Sequence, residues 1–276
     1  MGRAPAERSW HVFIHRCAVA PTTEKDAMSW KRCKEVAGVL LMLPLLAISK
    51  ASSRGPSDRK LRKHATSPEA ESRRTVAQER IHDLTARLSA VEGLEHVMTT
   101  FTDSCSRPYH ASVFEARPTD VLRCEMRSVS YFGVLGDITD VLARIREADI
   151  AAWGPRDRQG QDLPHARGTI TYAIDYHRNH GRFPDGGTMA TPVLGTSVLE
   201  IDWDRLDFPL VNRIEEADLP DPEAAGGGIY RRCSTVPQAA MSVTEARAHY
   251  GTVLRFVASS TNTSTREYYH AVPRGS

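Results

Sequence analysis

Residues 121–145 read VLRCEMRSVSYFGVLGDITDVLARI, and this stretch decides the fold class. Its first half is rich in β-branched and aromatic residues. Leu122, Cys124 and Met126 alternate on one face, while Val129 and Tyr131 fall on the other parity. A strand with a bulge near Arg127 and Ser128 is the expectation. Gly133 and Gly136 mark a turn. Asp137 then caps a helix, because Ile138, Val141, Leu142 and Ile145 repeat at i, i+3, i+4 and i+7. Trp153, Gly154 and Pro155 end this strand-turn-helix unit.

Upstream, Ile81, Leu84, Leu88 and Val91 lie on one face of a helix predicted over 69–92, with Ser67 as its N-cap. Gly93 interrupts it, and Leu94, Val97, Met98 and Phe101 extend the helical spacing into a second piece. Downstream, residues 169–177 and 197–203 alternate apolar with polar and predict two strands. Residues 204–241 hold many Pro, Asp and Gly and predict a long loop with few core residues. Ser242 and Glu245 form a capping-box pair that opens a short helix, stopped by Gly251. Residues 253–259 predict a strand, and 266–272 its hairpin partner. The order α, β, α, β, β, α, β, β implies an α+β fold, with helices on one face of a mostly antiparallel sheet.

The N-terminal end has a different character. Residues 36–48 are 13 uncharged, mostly apolar residues, among them Val36, Leu40, Leu41, Leu45 and Ile48. A helix of that length reaches about 20 Å, short of the roughly 30 Å of a bilayer core. Met28, three basic residues and this run together resemble a signal peptide, with small residues placed for cleavage after Ala51. Lys50, Arg54, Arg59, Lys60, Arg62 and Lys63 follow the run, and positive charge there opposes export. A short retained anchor is the alternative. The chain therefore divides into 1–27, unstructured or upstream of the true start; 28–51, a signal peptide or short membrane anchor; 52–68, a basic linker; and 69–276, the α+β domain with its loop at 204–241.

Charge supports this division. Residues 1–75 hold 15 Lys and Arg against 7 Asp and Glu, and the remainder 21 against 27. The folded part is mildly acidic, which argues against a nucleic-acid partner, because phosphate binding needs a cationic surface. Membrane lipid, met through the apolar segment, and an envelope protein or ligand are the expected partners. Three cysteines follow the apolar run. In an exported domain Cys105–Cys124 is the natural disulfide, closing a loop worth about 3 kcal/mol, with Cys233 left over or exchanging in. In a cytosolic domain all three are buried thiols.

Cys105, Arg123-Cys124, Tyr131-Phe132-Gly133, Gly136-Asp137 with its helix, and Trp153 together resemble a group of uncharacterised membrane-anchored or secreted proteins of high-GC Gram-positive bacteria. That resemblance covers about residues 69–176. It implies a location and no activity.

Candidate chemistry is sparse. Asp202 and Asp204 flank Trp203 on one strand face, and with His177 they would make the acid, base and imidazole of a hydrolase. His177 and His180, near Asp175, are the best metal-ligand candidates, although HExxH spacing is absent. Solvated loop histidines account for them more simply, and no cofactor is expected. Arg231 and Arg232 precede Cys233 and would favour its thiolate. Tyr172, Tyr176, Trp203, Tyr268 and Tyr269 would line a binding face or pair within the core. No P-loop, GxSxG or GxGxxG pattern occurs. The expectation is an envelope domain that binds without catalysis. An envelope hydrolase and a cytosolic interaction protein are the competing readings.

Overall fold

A computed structural model describes residues 55–108, 118–217, 228–238, 240–262, 265 and 267–275. The elements, in chain order, are α1 (Asp58–Ala65), α2 (Pro68–Ser89), β1 (Leu94–Ser106), β2 (Asp120–Val134), α3 (Ile138–Glu147), α4 (Ile170–Arg178), β3 (Leu194–Gly195), β4 (Leu199–Trp203), β5 (Gly228–Val236), α5 (Val243–Tyr250), β6 (Val253–Ser259) and β7 (His270–Pro273). The fold is α+β. Every strand pair is antiparallel, in the order β3-β4-β6-β2-β1-β5, with β7 also on β2.

Local sequence sets the helix starts. Ser57, Ser67, Asp137, Thr169 and Ser242 each accept a backbone N–H from the first turn, supplying acceptors that a helix N-terminus lacks. The expected capping box at Ser242 and Glu245 is complete. Gly93 at φ +90° stops the chain from continuing the α2 turn, and Leu135 N donates to its carbonyl at 2.8 Å.

The main core lies between the sheet and helices α2, α3 and α4. Phe101, Met126, Phe132, Ile201, Trp203, Leu254 and Phe256 project from one sheet face against Ile81, Leu88, Val141, Leu142, Ile145, Ile170 and Ile174. The α2 and α3 stripes expected from periodicity face this core, with Leu84 and Ile138 only partly buried at its margin. At the lower end of the same face α1 buries Leu61 and Ala65 against Leu122 and the Cys105–Cys124 disulfide. Helix α5 crosses to the opposite face, where Val243 and Ala246 pack on Met98, Val129, Tyr131, Val253 and Val257.

Several local expectations give way to tertiary packing. Residues 169–177 are helical, not a strand. Ile170, Ala173 and Ile174 have helical spacing and enter the main core, and Thr169 caps them. Residues 94–106 are β1, not a helix. A bulge between His96 and Met98 shifts the parity, so Leu94, Val97, Met98 and Phe101 imitate helical spacing within a strand. The expected bulge at Arg127 and Ser128 is absent. Both faces of β2 are covered, so Val129 and Tyr131 are simply buried on the second face. The expected 52–68 linker contains α1. Eight residues make a marginal helix alone, and burial of Leu61, worth about 1.5–3 kcal/mol, holds it. The expected 204–241 loop contains β5, paired to β1, and the buried residues Asp204, Arg205 and Ile214. Finally, β7 pairs with β2, not with β6. Strand β6 pairs with β2 over Arg127–Gly133, which leaves the same edge at Asp120–Cys124 for β7. Residues 1–54, with the 28–51 segment, lie outside the described residues, and among those described no helix is long and apolar enough to cross a membrane.

Cys105 and Cys124 stand directly opposite in the β1–β2 register and form a buried disulfide. A non-reduced digest should release the two cysteine peptides linked, and recovery of both as free thiols would contradict the structure. The Cys105→Ala, Cys124→Ala double variant is expected to lose about 2–4 kcal/mol in urea unfolding.

Candidate functional site

The helical layer does not reach the whole width of the sheet. Helix α1 contacts β5, while α2 contacts β1, β2, β6 and β7. On the helix-facing side of β5, Arg232, Ser234 and Val236 are therefore exposed. Between them and α2 runs an open groove of about 630 Å³. One wall is a helical stripe of α2, Gln78, Ile81, His82, Thr85 and Ser89. The floor is Phe101, Thr99 and Ser128, and His96 closes one end.

Polar groups are held in definite places along it. His96 Nε2 lies 2.8 Å from Thr99 Oγ1, which lies 2.8 Å from Ser130 Oγ. The His96 ring meets Phe132 edge-on, and burial lowers its pKa, so it is neutral at pH 7. Arg232 Nη2 donates to Gln78 Oε1 at 3.1 Å. Ser128 Oγ is buried and has no hydrogen-bond partner among the described residues. A neutral imidazole on a threonine hydroxyl is part of a nucleophilic site, but among the described residues no carboxylate lines this groove to orient the imidazole. The arrangement suits hydrogen bonding to a bound molecule.

Beneath the Arg232 end is a buried ionic cluster. Asp103 on β1 is fully buried, and Arg74 of α2 meets its Oδ2 at 2.6 Å. Tyr269 OH donates to Oδ1 at 2.7 Å. Arg74 also donates to the Ala65 carbonyl at 2.9 Å, pairs with Glu71 at 2.5 Å, and lies 4.4 Å over the Tyr230 ring. Burial opposes the Arg74 charge, yet the Glu71 hydrogen bond and Asp103 raise its pKa above the ordinary arginine value. Burial, then Asp103, push the Tyr269 hydroxyl well up, so it stays protonated and donates. The Tyr269 oxygen is 3.8 Å from Cys105 Sγ, which joins this cluster to the disulfide.

The chain matches no protein-family model, no curated protein and no solved structure.

The residues singled out from sequence do not converge. Asp202 binds Arg205 at 2.8 Å and Asn212, and Arg255 lies 3.8 Å away. Asp204 is buried and accepts from the Ile214 and Val253 amides and from Arg247. It anchors α5 and the 204–217 segment to β6. His177 packs on the other face, where its Nε2 accepts from Trp203 Nε1 at 2.6 Å. Burial and then Arg205 push its pKa down to about 4, so it is a neutral acceptor. His180 follows the α4 C-cap at φ +48°, and both imidazoles face Phe208, at 4.8 and 6.3 Å. Among the described residues no group of three His, Cys, Asp or Glu is placed to hold a metal ion. Tyr172, Tyr176 and Trp203 are core residues. Cys233 lies on β5 facing away from the groove. Val36, Leu40, Leu41, Leu45 and Ile48 lie outside the described residues. The groove residues His82, His96, Thr99 and Arg232 were not legible as a set. His96 and Thr99 fall in the stretch whose spacing imitates a helix, and the β1–β5 pairing that brings Arg232 near Gln78 joins distant parts of the chain.

Replacing Asp103 with Ala should cost about 3–5 kcal/mol, because buried Arg74 then keeps only the half-exposed Glu71 as counterion. The double variant Arg74→Met, Asp103→Leu should recover most of that loss in urea melts. For His177, the folded pKa lies below the unfolded value near 6.5, so its contribution is complete above pH 6.5 and is lost as pH falls through about 4. The expected decline is about 3 kcal/mol. His177→Gln should flatten the pH dependence between 6.5 and 4, and unchanged slopes would refute this placement of the imidazole.

Proposed function

We propose that this chain is a membrane-anchored or exported domain of the cell envelope that binds a ligand or partner protein without transforming it. The observation that carries the reading is the buried cross-strand disulfide Cys105–Cys124, downstream of the apolar run 36–48. Structural disulfides persist in oxidising compartments and are rare in the cytosol of mesophiles. The apolar run is the membrane-directed element, and the mildly acidic remainder is the binding body.

The groove between α2 and β5 is the binding place in this reading. It is concave, polar side chains line it beside apolar ones, and its size falls within the roughly 300–1,000 Å³ usual for ligand pockets. The hydrolase alternative gains no support, because Asp202, Asp204 and His177 each have partners inside the fold.

Fractionation of expressing cells with N-terminal sequencing tests the location. A membrane-bound or extracellular product is expected, starting after Ala51 if the segment is cleaved and upstream of residue 36 if it is kept. A soluble cytosolic product with Cys105 and Cys124 reduced would overturn the reading.

A further inference from the structure

We propose that the groove between α2 and β5 binds a short, extended peptide segment that carries a carboxylate. This names the ligand class of the binding reading above and rests on that reading for its setting.

The first argument is shape. The groove floor is a grid of strand residues. Arg232 stands opposite Asp103, Ser234 opposite Phe101 and Ser128 beyond it, Val236 opposite Thr99, and then comes His96 opposite Phe132. These rows are two residues apart, so from Arg232 to His96 the floor runs about 20 Å, the length of about six extended residues. The α2 wall from Gln78 to Ser89 runs about 16 Å alongside it. An extended chain matches both the length and the two-residue repeat.

The second argument is polarity. Thr99 and His96 on the floor and Gln78 and His82 on the wall place hydrogen-bonding side chains along the groove. A peptide backbone presents an N–H and a C=O at each residue and can use them. A hydrocarbon chain cannot, which disfavours a fatty acyl ligand despite the apolar surface of Ile81 and Phe101.

Charge supplies the third argument. Arg232 lines the groove, and among the described residues no Asp or Glu does. Arg232 is half exposed, and its Nη2 stands 4.0 Å from Asp103 Oδ2. Both Asp103 oxygens are already engaged at shorter range by Arg74 and Tyr269. The Arg232 charge is therefore available to a carboxylate at that end of the groove, where a guanidinium can form two parallel hydrogen bonds.

The test is capture from a randomised hexapeptide pool by the full chain, purified in mild detergent with its disulfide intact, with bound peptides identified by mass spectrometry. Peptides containing Asp or Glu should be enriched about tenfold over those containing Lys. Arg232→Gln should remove that preference. Ala86→Trp, at an exposed groove position of α2, should abolish capture while leaving the thermal melt unchanged. Three outcomes would overturn the proposal: capture equal to that of Ala86→Trp, capture without acidic preference, or retention of dodecanoate in place of peptides. Fractionation judges the envelope reading separately, so failed capture leaves the location standing and a cytosolic location leaves the groove chemistry standing.

Discussion

Strand β2 has two edges and two faces, and all four are in use. One edge carries β1 along its whole length, and the other carries β6 and then β7. One face receives α2 and α3, and the other receives α5. A strand of 15 residues with that much contact leaves little freedom in register. A slip of one residue would move Phe132 and Met126 out of the main core and separate Cys124 from Cys105. The disulfide locks that same register covalently. The remaining elements take their positions from this ladder.

Polar burial marks where the layers are tied together. Asp103 joins β1 to α2 through Arg74 and to the C-terminal segment through Tyr269. Asp204 does a similar job across the sheet, joining β6, α5 and the 204–217 segment. Each carboxylate loses its hydration on burial and is compensated by a guanidinium and further hydrogen bonds. Such clusters contribute more to a specific arrangement than to net stability. They also explain why charged residues that look catalytic in a sequence here serve the fold.

The groove is a consequence of the same layering. Helix α2 is held over the middle of the sheet by Ile81, Leu88 and the Arg74–Asp103 pair, and α1 covers only the lower part of β5. Among the described residues the upper part of β5 is left without a helical partner. Helix caps at Ser67, Asp137 and Ser242 were legible because a cap is made by neighbours in sequence. So were the α2 and α3 stripes, whose period shows in a short window. The 169–177 segment was not, because Ile, Tyr, Ile and Tyr at alternate positions satisfy both periods, and the choice was made by the core it meets. His96 and Thr99 were missed for a related reason, since one bulge turned a strand's spacing into an apparent helix.

By itself the sequence determined the α+β class, the helix starts, the apolar run at 36–48 and the cysteine pair that could close one loop. These depend on composition and on contacts within a few residues. Only the tertiary structure decided that Cys105 and Cys124 sit opposite one another, that β5 and β7 join β1 and β2, and that Asp202, Asp204 and His177 are held apart. Those outcomes depend on which distant segments meet, and a contact between distant segments leaves no period in the chain. The groove is of this kind, made by α2 and by a strand more than a hundred residues away.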